Sequence, residues 1–219
     1  MFIINCKNYE EIAGDKIIKF VNTVEVISRK HKIKIAIAPP QHLIGVVSKS
    51  SVPIFSQHVD VSPIGSTTGF VVPELLKKSD VKGSLINHSE HRISSKDIEK
   101  LITKLRQLKM TSVLCVKDVG EAKKYAKFNP DYIAIEPPEL IGSGKAVSKE
   151  KPELITNAAN AVKTSKNKTK LLCGAGIVSG DDVSAALSLG SQGILVASGI
   201  IKAKNWSKII EEFVKAFER

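Results

Sequence analysis

The stretch Asp131-Tyr132-Ile133-Ala134-Ile135-Glu136-Pro137-Pro138-Glu139-Leu140-Ile141-Gly142-Ser143-Gly144-Lys145 decides how the chain is read. An apolar run of strand length ends in a carboxylate, and a proline hinge and a small glycine-rich tip follow. A carboxylate at the mouth of a buried strand, with a mobile-looking segment beside it, points to a general base under its own lid. Two other apolar runs end the same way. Phe2-Ile3-Ile4 leads into Asn5-Cys6-Lys7, and Ser84-Leu85-Ile86 leads into Asn87-His88-Ser89-Glu90. Three strands that deliver Lys, His and Glu to one rim are harder to obtain by chance than any one of them.

Working outward, β-branched apolar runs alternate with helical patterns along the whole sequence, the signature of parallel βα units. Strands are predicted at Phe2–Ile4, Ile33–Ala38, Pro53–Ser56, Gly83–Ile86, Ser112–Val116, Asp131–Ile135, Lys170–Cys173 and Gly193–Val196. Between them the pattern predicts helices such as Tyr9–Lys30, Ser95–Lys109, Val119–Lys127, Lys151–Thr164 and Ser179–Leu189, with Trp206–Phe217 last. Ser94-x-x-Asp97 reads as a capping box. Eight strands and about eight helices predict an α/β fold of the (β/α)8 TIM-barrel type, one domain over residues 1–219, shorter than the ~250 residues usual for it. A doubly wound open sheet is the alternative. It usually carries Gly-x-Gly-x-x-Gly after its first strand, where this chain has Asn5-Cys6-Lys7-Asn8.

Composition bounds the function. With 219 residues and 42% hydrophobic side chains, the chain can bury one sizeable core. No apolar stretch approaches ~20 residues, so no membrane span is expected. No secretory signal is visible at the N-terminus, and the three cysteines, Cys6, Cys115 and Cys173, form no close pair. Both features fit a reducing, cytoplasmic setting rather than a disulfide or zinc scaffold. The net charge is +11, yet only four of the 33 basic residues are arginine and the lysines spread over every predicted helix. Nucleic-acid readers cluster arginine with stacking aromatics, so no nucleic-acid partner is expected. The positive field would still attract a small phosphorylated substrate.

In a barrel of this kind the residues just past each strand carry the chemistry. Asn5 and Lys7 lie two apart on one strand face, both able to point inward, although Lys7 alone reads more readily as a solvated loop lysine. His88 stands just before a helix start, and Glu90 is placed to hold Lys7 or Asn5. The turns Cys173-Gly174-Ala175-Gly176 and Ala197-Ser198-Gly199 bring small residues to the ends of strands seven and eight. Backbone N–H groups approach an anion most closely at such positions. Gly142 and Gly144 offer more donors from the lid.

Asn5-x-Lys7, Asn87-His88-Ser89-Glu90-x-Arg92, Ile135-Glu136-Pro137 and Ile141-Gly142-Ser143-Gly144-Lys145 together resemble, in order and spacing, the triosephosphate isomerase family. The resemblance covers the whole chain, and the short length with its strand-seven and strand-eight turns looks like the compact archaeal branch. It implies interconversion of dihydroxyacetone phosphate and glyceraldehyde 3-phosphate, in glycolysis and gluconeogenesis, with neither metal nor organic cofactor. By the same resemblance Glu136 would be the base, His88 a neutral imidazole polarising the carbonyl, Lys7 a fixed positive charge and Asn5 a nearby donor. Residues 137–147 would close as the lid, while Ile141, Gly142, Gly174, Ala197 and Ser198 would hold the substrate phosphate, and Glu90 would support Lys7. The loop Gln57–Phe70 would enter a neighbouring subunit, which implies a homo-oligomer, dimer or tetramer.

Five positions depart from the family's usual pattern: Glu139 stands where the lid hinge carries tryptophan, and His91 where arginine is common. Gly176 replaces a serine, and Ala197-Ser198 replaces a glycine pair. Two other functions compete. One is a phosphate-binding barrel of amino-acid biosynthesis, which usually lacks a Glu-Pro lid on strand six. The other is a non-enzymatic scaffold, which has no need of the Lys, His and Glu set.

Overall fold

Strand parity sorts the apolar residues of this protein into two cores. The computed structural model describes residues 1–165 and 167–218. Its strands are β1 (Phe2–Asn5), β2 (Ile35–Ala38), β3 (Phe55–Ser56), β4 (Gly83–Ile86), β5 (Thr111–Val116), β6 (Tyr132–Ile135), β7 (Lys170–Cys173) and β8 (Ile194–Val196). All pairings are parallel, in the order β2-β1-β8-β7-β6-β5-β4-β3. A lone Ile37–Ile54 bridge joins β2 to the approach of β3 and nearly closes the ring. Ile3, Ala36, Leu85, Val113, Ala134, Leu172 and Leu195 fill the barrel interior. Their neighbours Phe2, Ile4, Ile35, Leu114, Ile133 and Leu171 face outward under the helices. Each large apolar side chain removed from water in this way stabilises the fold by roughly 1.5–3 kcal/mol.

The helical layer comprises α1 (Lys16–His31), α2 (Ile44–Val47), α3 (Pro73–Lys78), α4 (Ser95–Gln107), α5 (Val119–Ala126), α6 (Val147–Glu150), α7 (Pro152–Thr164), α8 (Gly180–Ser188), α9 (Ser198–Ile201) and α10 (Trp206–Ala216). Helix α4 shows why these segments wind as they do. Ile98, Leu101, Ile102 and Leu105 are buried at i, i+3, i+4 and i+7, one stripe laid on the sheet. The sequence expectations for the (β/α)8 barrel therefore hold, with corrections at element ends. The helix expected from Tyr9 splits, because Gly14 at φ +57° breaks the path between a 3-10 turn at Glu10–Ile12 and α1. The helix expected from Lys151 begins at Pro152. Lys151 sits at φ −144°, ψ 59°, consistent with the exclusion of the helical region before a proline. β2 begins two residues later than expected and β3 shrinks to two residues.

The expected capping box at Ser94 is only half formed. Ser94 accepts the Asp97 N–H at 3.1 Å, but its own hydroxyl, not its backbone N–H, meets the Asp97 carboxylate. The complete box lies on α8, between Ser179 and Asp182.

Candidate active site

Alternation along the strands carries the reactive side chains to the open end of the barrel. Ala134 packs inside, and two residues later Glu136 takes the same direction above it, only 4% exposed. Its N–H donates to Val116 O at 2.8 Å, which pins the residue to β5. The row Ile3, Asn5, Lys7 rises likewise from β1, but Lys7 has left the strand at φ 45°. That left-handed conformation costs a non-glycine residue roughly 1–2 kcal/mol and is held here by its surroundings. The Asn5 carboxamide oxygen accepts the Lys7 N–H at 3.0 Å, and Gln57 Nε2 donates to Lys7 O at 3.0 Å and to Ala38 O at 3.1 Å. The ammonium then meets Glu90 Oε1 at 2.6 Å, with Lys7 largely covered and Glu90 mostly in solvent.

His88 falls out of parity with Leu85, and a second left-handed residue turns it inward. Asn87 has φ 62°. Asparagine tolerates this better than most side chains, and both ends of its carboxamide are used. Nδ2 donates to Cys115 O at 3.1 Å and Oδ1 accepts the Ile93 N–H at 3.1 Å. The imidazole that follows is 6% exposed and has Nε2 3.6 Å from Glu136 Oε1. That is too long for a hydrogen bond, and both residues line the same cavity. On the other side the Glu90 N–H donates to His88 Nδ1 at 3.2 Å.

Two influences on His88 oppose each other. Burial pushes its pKa down, but the facing Glu136 carboxylate outweighs this and the net displacement is upward. A protonated Nδ1 would meet the Glu90 N–H donor to donor. That backbone group cannot turn away, so the neutral ring carries its proton on Nε2. Glu136 Oε2 is buried with no hydrogen-bond partner among the described residues. An unpaired buried acceptor is costly, and the residue that carries it lines the cavity. The neighbouring Cys115 thiol is held protonated, pushed well up first by burial and then by Glu136.

The opposite wall is rich in glycine and small residues. Ile141, Gly142, Gly174, Ala197 and Ser198 line the same cavity as Asn5, Lys7, His88 and Glu136. Glu90 stands behind Lys7, in a second opening lined also by Gln57, His58 and His91. Three glycines here are required by contact. A Cβ on Gly174 would come within 2.5 Å of Glu136 Cγ, and one on Gly199 within 2.5 Å of Ile177 O. Gly176, at φ +68°, would place a Cβ 1.8 Å from Lys145 O. The serine usual at this position would therefore collide with the lid backbone as it lies here. At the lid's base the hinge residue Glu139 pairs with Lys151. At its far end Val147 N–H donates to Ala175 O at 3.3 Å.

Sequence reasoning missed Gln57 as a site residue, although it is polar and follows directly on β3. A two-residue strand hides its own end. From sequence Cys115 is only one of three cysteines without a close pair, because its adjacency to Glu136 depends on the β5–β6 register.

A parallel eight-stranded barrel with a carboxylate, an imidazole and an ammonium at its C-terminal rim places the protein among the (β/α)8-barrel enzymes. The family model described as triosephosphate isomerase matches residues 1–213. A triosephosphate isomerase of Cenarchaeum symbiosum is 53% identical over 216 residues, 99% of this chain and 97% of its own. The enzymes of that name from Methanothermus fervidus and Methanocaldococcus jannaschii are each 42% identical, over 98% of this chain and 97% and 99% of their own. The chain belongs to the triosephosphate isomerase family and is an isomerase.

Proposed function

We propose that this single-domain barrel interconverts dihydroxyacetone phosphate and D-glyceraldehyde 3-phosphate with Glu136, His88 and Lys7 as its working groups. Glu136 removes a proton from the carbon beside the carbonyl and returns it to the neighbouring carbon. His88, neutral with its proton on Nε2, donates to the carbonyl oxygen and then moves protons between the two oxygens of the enediolate. Lys7 sets a fixed positive charge against the charge that develops there, and Asn5 adds a donor. The convergence of Glu136 and His88 on one cavity, with His88 Nε2 3.6 Å from Glu136 Oε1, carries this reading.

Ile141, Gly142, Gly174, Ala197 and Ser198 are assigned to the substrate phosphate. The first N–H groups of α9 have no partner within the helix, which favours an anion there. The lid, residues 137–147, keeps water off the intermediate. Glu90 is a positioning residue for Lys7. Direct assay of triose phosphate interconversion tests the whole. Lys7→Ala is expected to raise KM and lower kcat together, and an unchanged kcat removes Lys7 from the reaction.

The same reading includes a homo-oligomer, dimer or tetramer, in the cytoplasm. Val61, Ile64 and Phe70 of the 57–70 loop are exposed, apolar surface of the kind a neighbouring subunit covers. Among the described residues no helix is long and apolar enough to cross a membrane. A monomer with full activity at assay concentration overturns the oligomer.

A further inference from the structure

Lys7 is held from two sides by separate pieces of chain. From the β3 side, Gln57 grips its carbonyl oxygen. From the β4 side, Glu90 grips its ammonium. The residues directly after these two grips touch each other. The rings of His58 and His91 lie stacked, centroids 3.8 Å apart and planes 16° from parallel.

His58 is 8% exposed and anchored on every side. Its carbonyl accepts from Gln41 Nε2 at 3.0 Å and from the Ser56 hydroxyl, and its Nε2 meets Asp60 Oδ1 at 3.1 Å. Asp60 is itself fixed by the Val71 N–H at 2.6 Å. His91 is the exposed member, tied to the site by its N–H donating to His88 O at 2.8 Å. We propose that His58 and His91 are positioning residues: their stack is a strut that joins the two supports of Lys7 and so fixes the ammonium over the substrate.

The strut is sensitive to protons. Two stacked neutral imidazoles, or one neutral and one charged, attract. Two imidazolium rings at this separation repel. The groups facing the pair are Asp60 from the 57–70 loop, Glu90 and His88 from the turn after β4, Lys7 from the end of β1, and His42 with Gln41 from the turn after β2. Burial holds the His58 pKa below the usual imidazole value and His91 pushes the same way, against Asp60. The stack therefore outlasts the usual imidazole midpoint of about 6.5 and opens at lower pH, once His58 also takes a proton. Opening frees the Glu90 turn from the 57–70 loop and loosens Lys7.

The inference rests on Lys7 serving the isomerase reaction. Wild-type protein inactive on triose phosphates would remove that reading itself. With active wild type, two variants of exposed His91 test the strut alone. At about pH 8, His91→Ala is expected to lower kcat about tenfold and raise KM about threefold, the scale of a small misplacement of one reacting group. That loss is far milder than that of His88→Ala. His91→Phe keeps a flat ring without a charge, so its rates at that pH stay within about twofold of wild type. Its kcat/KM near pH 5.5 also falls less than wild type does, by a factor of about three. A merely structural residue would not give this pH difference. The strut is overturned if His91→Ala matches wild type in both constants, or if His91→Phe is as impaired as His91→Ala.

Discussion

The two walls of the site are built on different principles. One wall, at the ends of β1, β4 and β6, presents side chains, two of them set by left-handed backbone: Lys7 itself at φ 45° and His88 behind Asn87 at φ 62°. The other, at the turns after β7 and β8 and along the lid, is rich in glycine and small residues, and the glycines set how closely its backbone segments approach. A substitution in the first wall removes a chemical group. In the second it moves backbone that has no spare room, so a single methyl acts like a wedge.

The sharpest way to break this contrast is to move one atom in the side-chain wall without removing its chemistry. Glu136→Asp withdraws the carboxylate by one methylene. We expect kcat to fall about 10²-fold or more while KM changes little, since a displacement of about 1 Å suffices for that loss. Steady-state kinetics on either triose phosphate measures it. Near-wild-type turnover would show that Glu136 is not the base.

In the backbone wall, Gly176→Ala adds one methyl and no chemistry. The residue sits at φ +68° and its Cβ would meet Lys145 O at 1.8 Å, so the lid has to lift. Strain of about 1–2 kcal/mol at a left-handed residue corresponds to roughly a tenfold loss in kcat/KM. Both constants should worsen, because the displaced lid neither binds nor excludes water. An unaltered kcat/KM would mean that the lid works in a position other than the one seen here.

Acidification probes the side-chain wall without mutation. Burial pushes the His88 pKa down, but Glu136 opposes it more strongly and the net displacement is upward. A raised value means that the cation forms while the solution is still above the usual imidazole midpoint of about 6.5. The proposed reaction uses the neutral ring, so on that proposal kcat/KM in the free enzyme should begin to fall above that pH as acid is added. For stability the sign is reversed. The raised pKa favours the folded state below the unfolded midpoint, and that benefit is lost as pH rises through the folded value. A limb centred below the usual midpoint would show that Glu136 does not govern His88.

The same contrast explains what the sequence shows and what it conceals. Strand parity and strand ends are local, and they place Asn5, Lys7 and Glu136 on the rim without coordinates. His88 is legible as a strand-end histidine, but its inward turn depends on Asn87 adopting a left-handed conformation. The ion pair of Lys7 with Glu90 spans 83 positions. Gln57 gripping Lys7 O, and Gly176 lying against Lys145 O, depend on how separate turns pack. Side-chain chemistry is written in residue types, whereas backbone proximity appears only as glycines that serve turns equally well. The boundaries that moved, at Gly14 and Pro152, did so for local backbone reasons.

The smallest expected effect lies where the backbone wall borrows one side chain for support. Asp182 on α8 is 1% exposed; its Oδ2 accepts the Val178 and Ser179 N–H groups at 3.1 and 3.0 Å, and its Oδ1 meets Lys149 Nζ at 2.6 Å. Lys149 belongs to α6, just past the lid, so the pair ties the lid's far end to the loop behind Gly176. Burial alone would raise the Asp182 pKa, but Lys149, Ser179 and the Val178 N–H outweigh it and the net displacement is downward. A depressed carboxylate stabilises the fold above the unfolded value of about 3.9, and that contribution disappears as pH falls through the folded value. The Lys149 pKa is raised, first by its hydrogen bond to Asp182, so its share fades only as pH rises past the usual lysine range. We expect Lys149→Ala to lower Tm at neutral pH by about 2–4 °C, the scale of one modest interaction in a domain of this size. The difference from wild type should shrink in acid, as pH falls through the depressed Asp182 value. Rates per folded molecule should change little, because Asp182 keeps its two backbone donors and the loop keeps its shape. A Tm difference that persists unchanged into acid would show that Lys149 acts through packing rather than through charge.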